Sequence, residues 1–348
     1  MSYFYLPKIY PPINIENIQI KYGIEKKSEK YLDSLICIKE EIKKYNGHTV
    51  IKKLLSPYSL INIIIKDKSL SINYLLFTEI FNLTKISFES EITSIHFCKN
   101  DLDIIDSLIN IRYNDNDKYY LTNNNNNNKI NPQKIVDKKI NNDILNEDVF
   151  NHMKKNYKNK FDFITIMECD TFDSKQNNIY ILKVLLSIYM LKNDANFIFK
   201  IPNLYETQNI ELLYFISNYF ERTIIIKPNM NNYFNNDKYV CCKNLLNTTN
   251  KDFIKYICDS FYGFYIKNKE DLTLLSFLKL NIPTTFISKI DECNSITAQS
   301  LLDNNCYLHN ICKLNEKSPC NQKLSEINEK NKQKCINWCI TNGIEHIE

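Results

Sequence analysis

The chain predicts an α/β protein built on a mostly parallel, doubly wound sheet, and three features carry that expectation. From residue 161 onward, short runs rich in β-branched and aromatic residues alternate with longer helical ones, the spacing of strands joined by crossover helices. The last two strand-like runs, 222–228 and 238–245, leave no room for a helix between them, so they are expected as antiparallel neighbours at one sheet edge. With 348 residues and 44% hydrophobic content, the chain can bury one large core or two modest ones.

Taken in order, residues 1 to 30 read as an irregular leader with turns at Pro7, Pro11 and Pro12. Apolar positions Tyr31, Leu32, Leu35, Ile36, Ile38 and Ile42 then predict an amphipathic helix over 28–45. The run "LSINYLLFTEIFNL" (70–83) predicts a more buried helix. An Asn-rich tract at 114–133, with six consecutive Asn, reads as a surface insertion loop inside the domain. Strands are expected at 161–167, 196–201, 222–228 and 238–245, and helices at 179–191 and 210–220. Residues 246–348 have helical periodicity in "DFIKYICDSFYGFYI" and "LTLLSFLKL". This divides the chain into an N-terminal helical extension (1–69), a central domain (70–245) and a mainly helical C-terminal extension (246–348).

Composition bounds the function classes. A formal charge of only +4, from 44 basic and 40 acidic residues, neither selects nor excludes a nucleic-acid partner. Abundant Ile, Asn, Lys and Tyr fit an AT-rich coding sequence. The 12 cysteines stand without a secretory leader, since "MSYFYLPKIYPP" is broken by Pro, so free thiols and a cytoplasmic location are expected. No apolar run approaches the length of a membrane span. There are only four glycines, Gly23, Gly47, Gly263 and Gly343, which matters because phosphate and nucleotide cradles usually need glycine's missing side chain.

One constellation is specific. "NFIFKI" (196–201), then "LLYFISNYF" (212–220), then "IIIKPNMNNYFNNDKYVCCKN" (224–244) resemble the C-terminal half of FtsJ-like (RrmJ-type) RNA ribose 2′-O-methyltransferases, above all the cap-specific mRNA enzymes of eukaryotes and large DNA viruses. There the pattern is "FVVK", "LLY.LS..F" and "KP..SR..NSEKYVVC"; Lys227, Pro228, Asn235, Lys238, Tyr239, Val240 and Cys242 fall on it without a gap. The resemblance implies a Rossmann-like S-adenosylmethionine-dependent methyltransferase fold with an antiparallel last strand, plus helical extensions. It also implies a Lys-Asp-Lys-Glu tetrad in which one lysine deprotonates the ribose 2′-hydroxyl. By register Lys200 takes the place of the proton-accepting lysine and Asp237 that of the final Glu, one methylene shorter.

The remaining tetrad positions depart from the pattern. "DFITIMEC" (162–169) aligns with "DLITADGG" and puts Met167 at the catalytic Asp, and "SINYLLFTEI" (71–80) aligns with "SRAYFKLWEI" and puts Leu76 at the first lysine and Ile72 at the arginine. "IHFCKNDLDIIDSL" (95–108) falls on the cofactor loop "IHLCEAPGGFIEAL", assigning Cys98, Asp101 and Asp103 to cofactor contact while the Pro-Gly-Gly turn has become Asp101-Leu102-Asp103. Side chains there would occupy space that glycine leaves for the methionine and ribose parts of S-adenosylmethionine. Asp143, in "NNDILNEDV", matches the acidic residue that meets the adenine amino group.

Two functions follow from the resemblance: RNA ribose 2′-O-methyl transfer with Lys200 as base, or an inactive paralogue serving as a subunit or RNA-binding scaffold beside a capping enzyme or an active methyltransferase. Loss of an Asp, a Lys and the glycine turn together favours the second. The expected cofactor is S-adenosylmethionine and the expected partner capped mRNA, with no membrane partner and, for a viral protein, a host-cytoplasm or virion location. Cys306, His309, Cys312 and Cys320 have zinc-ligand chemistry but a spacing that matches no finger, so free thiols are expected there.

Overall fold

The computed structural model describes residues 2–8, 13–23, 30–97, 102–123, 138–141, 143–167, 174–201, 204–267, 273–317 and 321–347. The N-terminal part holds β1 (Ser2–Tyr5), β2 (Ile18–Gly23), α1 (Lys30–Lys43), α2 (His48–Leu55) and α3 (Ile61–Ile64). The central part runs α4 (Ile72–Thr84), β3 (Thr93–Phe97), α5 (Asp103–Arg112), β4 (Lys118–Asn123), β5 (Lys138–Asn141), α6 (Glu147–Asn156), β6 (Phe161–Ile166), α7 (Ser174–Met190), β7 (Leu191–Ile201), α8 (Thr207–Tyr219), β8 (Phe220–Lys227) and β9 (Lys238–Leu245). It is followed by α9 (Lys251–Lys267), β10 (Thr273–Leu278), α10 (Thr284–Lys317) and α11 (Asn321–Asn342).

Eight strands form one sheet in the order β1-β8-β9-β7-β6-β3-β4-β5. The pairs from β5 through β7 are parallel, whereas β9 runs antiparallel to both β7 and β8, and β1 antiparallel to β8. Counted in chain order from β3, the seven core strands lie 3-2-1-4-5-7-6. This α/β arrangement, helices on both faces and the last strand inserted antiparallel, is the Rossmann-like methyltransferase fold.

Strand alternation assigns each residue to a face. In β7, Phe197, Phe199 and Ile201 enter the core beneath α7, α8 and α9, while Ile198 enters the one beneath α4, α5 and α11. In β8 and β9 the same division separates Ile225, Val240 and Cys242 from Ile224, Ile226, Tyr239 and Cys241. Helix starts are set locally: the Ser71 hydroxyl accepts from the Tyr74 N–H at the head of α4, and the Asn146 side chain accepts from Asp148 and Val149 at the head of α6. As expected for 70–83, α4 is buried on nearly every side.

Several expectations need correction. The last two core strands pair, but β9 lies inside the sheet and β8 is covered by β1, so neither is an edge. The N-terminal 69 residues, read as a helical extension, also contribute β1 to the main sheet and β2 to a second ribbon. The run 272–280, read as helical, contains β10 paired with β2; an apolar run this short has no periodicity that separates helix from strand. The buried Glu211 carboxylate secures it, accepting from the Phe277 and Leu278 N–H groups and the Ser276 hydroxyl. Finally, β4 lies inside the tract read as a loop, because Tyr119 and Leu121 alternate into the core ahead of the Asn run.

His96, in the middle of β3, is fully buried between the Ser94 hydroxyl and the Thr165 hydroxyl, each 2.9 Å from a ring nitrogen. Burial pushes its pKa from 6.5 down to about 3. The unfolded chain therefore binds a proton that the folded chain refuses, so the associated stability is complete above pH 6.5 and is lost as the pH falls toward 3. We expect this group to remove roughly 2 kcal/mol of unfolding free energy between neutral pH and pH 5, measured by urea titration at each pH. His96→Gln should flatten that slope; equal slopes in both proteins would contradict the assignment.

Candidate functional site

The site begins with register. Lys200 lies opposite Tyr239 across the β7–β9 ladder, and Asp237 precedes Tyr239 by two residues, so both side chains belong to the α4–α11 face of the sheet. They meet in an ion pair of 3.0 Å at the C-terminal end of β7, with the lysine side chain 19% and the carboxylate 29% exposed. Three anchors fix their backbones. The Tyr180 hydroxyl, from α7, donates to the Lys200 carbonyl. Asn231 Nδ2 donates to the Asp237 carbonyl at 2.7 Å. The buried Glu79 carboxylate of α4 accepts from the Asn229 and Met230 N–H groups, both at 2.9 Å, and so clamps the loop that carries Asp237.

The two apolar positions of the expected tetrad lie on the same face. Leu76 is buried in the cluster beneath α4, and Met167, just past β6, packs against that cluster. The Met167 N–H donates to the Phe97 carbonyl at 3.0 Å, prolonging the β3–β6 contact. Ile72, at the expected arginine position, is the first residue of α4 and is exposed.

Of the expected cofactor residues, Cys98 and Asp101 lie outside the described residues, as do Glu168 and Asp170. Asp103 opens α5, and its carboxylate accepts a hydrogen bond from the Ser71 hydroxyl, which joins the heads of α4 and α5. Leu102 packs into the same apolar cluster as Met167. Asp143 is exposed just beyond the C-terminal end of β5. S-adenosylmethionine needs polar contacts along its methionine and ribose parts. Among the described residues where β3 and β6 end, Leu102 and Met167 are committed to packing and the Asp103 carboxylate is used by Ser71.

Two further lysines match the family register but were given no role by sequence reasoning. Lys227 ends β8 and Lys238 begins β9, next to the paired Ile226 and Tyr239. Lys238 is buried, donates to Asn236 Oδ1 at 3.0 Å, and is brought by burial down to about 8. The Lys227 ammonium is sealed from solvent with no hydrogen-bond partner among the described residues, and burial lowers its pKa too. Asp237 is the carboxylate that favours the charged form of each. A lysine at either end of an apolar run, "IIIKP" and "DKYVCC", is the signal that points to these positions. Of the zinc-like run, His309 lies 3.3 Å from the Tyr45 hydroxyl, Cys312 is in a small core with Ile42 and Leu308, and Cys320 is outside the described residues.

Among known proteins, no family model matches this chain and no curated protein sequence matches it. Among solved structures it is similar to human methyltransferase-like protein 13 in complex with SAH, at 8% identity and a TM-score of 0.31, over 57% of this chain and 90% of the human one.

A partly exposed ion pair contributes little to stability. A double-mutant cycle with Lys200→Met and Asp237→Asn, followed by urea unfolding, should give a coupling energy of about 1 kcal/mol or less. A coupling of about 3 kcal/mol or more would identify the pair as a structural element of the fold instead.

Proposed function

We propose that this chain is a divergent FtsJ-like RNA ribose 2′-O-methyltransferase-family protein that keeps the substrate side of its site, has reduced or lost methyl transfer, and acts as an RNA-binding subunit or scaffold of a capping or methylation complex. The observation that carries this reading is the Lys200–Asp237 pair standing on the same sheet face as the apolar Leu76 and Met167. An ammonium and a carboxylate 3.0 Å apart form a matched donor and acceptor for a ribose hydroxyl: the lysine donates to the oxygen, and the carboxylate accepts the hydrogen.

Deprotonating that hydroxyl asks more. A lysine acts as a base when neighbouring cations or burial destabilise its charge, and Leu76 supplies no cation while Met167 supplies no carboxylate to orient it. Asp237 is the ion-pair partner of Lys200. The remaining chemistry recognises a hydroxyl and does not activate it.

The test is fluorescence anisotropy with single-stranded RNA and DNA of one sequence, paired with a methyl-transfer assay. We expect RNA to bind more tightly than DNA, because only RNA offers the 2′-hydroxyl, with Lys200→Met lowering RNA affinity about tenfold and abolishing the preference. Equal affinity for RNA and DNA in the unmodified protein contradicts the binding part of the reading. Multiple turnovers of methyl transfer that depend on Lys200 contradict the loss of activity and favour an enzyme with Lys200 as base and Asp237 as its partner.

A further inference from the structure

A cavity of about 210 Å³ opens at the C-terminal end of β8, between the segment after α2 and the helices α10 and α11. Its ionisable wall residues are Lys227, Lys334, Tyr58 and Tyr233, and the rest of its polar wall is amides and the Ser300 hydroxyl, with no carboxylate. In a chain with 40 acidic residues against 44 basic ones, a wall with two ammonium groups and no carboxylate favours anions. Asn231 and Asn304 each use one side-chain N–H on a protein carbonyl, of Asp237 and Tyr233 respectively, which fixes the amides and leaves each a second N–H to donate.

Lys227 supplies a second, independent observation. The residue lines the cavity, and its ammonium is sealed from solvent without an acceptor among the described residues. A buried, unpaired ammonium is costly, and folded proteins usually pair such a group. The groups nearest to it electrostatically, Asp237, Cys293 and Lys238, do not hydrogen-bond to it, and Asp237 is already paired with Lys200.

We propose that this cavity is a binding site for a phosphate-class oxyanion. The anion gives Lys227 the acceptor it lacks, reached by rotation about the last bonds of its side chain. Lys334, exposed on α11, contributes the second cation, and Asn231, Asn304 and Ser300 contribute neutral donors. The site rests on the cavity wall alone and holds whichever reaction the fold supports. The phosphate belongs either to a nucleic-acid strand or to a free ion, and the two sources are separable.

The experiment is calorimetric titration of the whole chain with inorganic phosphate at low ionic strength. We expect saturable binding that Lys227→Met and Lys334→Met each weaken about tenfold, as for hydrogen bonds to charged groups. Asn304→Asp, which places a carboxylate on the wall, should abolish it, whereas Lys53→Met, on an adjoining cavity, should leave it unchanged. A 5′-phosphorylated dinucleotide that binds more tightly than phosphate assigns the site to a nucleic-acid strand; equal affinity assigns it to the free ion. Absence of saturable binding up to millimolar phosphate, or binding that Lys334→Met leaves intact, overturns the proposal. Because Lys334 is exposed, its variant tests the site even if Lys227→Met fails to fold.

Discussion

The antiparallel insertion of β9 between β7 and β8 is the constraint on which the rest of the molecule depends. It places Lys200 opposite Tyr239 and fixes the parity that brings Asp237 to the same face. It also forces the chain between Lys227 and Lys238 to cross the C-terminal end of the sheet, where Glu79 and Asn231 hold it. A slip of one residue in this ladder would move Asp237 to the opposite face and separate the pair. Both the Lys200–Asp237 pair and the cavity at Lys227 are consequences of that single pairing.

The same face shows an electrostatic division. Toward β7 and β9 lies the Lys200–Asp237 ion pair, while Lys227 and Lys238 alternate toward the opposite face with Ile225 and Val240. Toward β3 and β6, Leu76, Leu102 and Met167 form part of a continuous apolar cluster with Tyr74, Phe77 and Ile105. Charged groups at Leu76 or Met167 would enter this apolar layer and would need partners that the surrounding residues do not supply. The packing that stabilises the α4–α5 side is thus continuous with Leu76 and Met167.

Much of this was legible in the sequence wherever an element is long or strongly periodic. The strands from 161 onward, the buried helix at 70–83 and the pairing of the last two core strands all emerge from alternation and spacing, and Lys200 and Asp237 from a gapless register. Four things escaped. β10 and β4 are short strands whose identity depends on partners far away in sequence: β2 for one, β3 and β5 for the other. β1 joins the sheet through Phe4 and Leu6, too few apolar residues to read as a strand. Asp103 was assigned to the cofactor loop, but its use by Ser71 depends on how α4 and α5 pack, which no local pattern encodes. The burial of Lys238 and of the Lys227 ammonium is likewise tertiary, with Cys293 of α10 close to both.

On the reading proposed for this chain, the substrate side of the site is kept while the methyl-donor side is given over to packing. Isothermal titration of the folded chain with S-adenosylmethionine, and with its demethylated product, tests it most directly. The account expects no saturable binding of either at micromolar concentrations, with circular dichroism showing the fold intact. Stoichiometric micromolar binding of S-adenosylmethionine would contradict it and return the chain to the active enzymes.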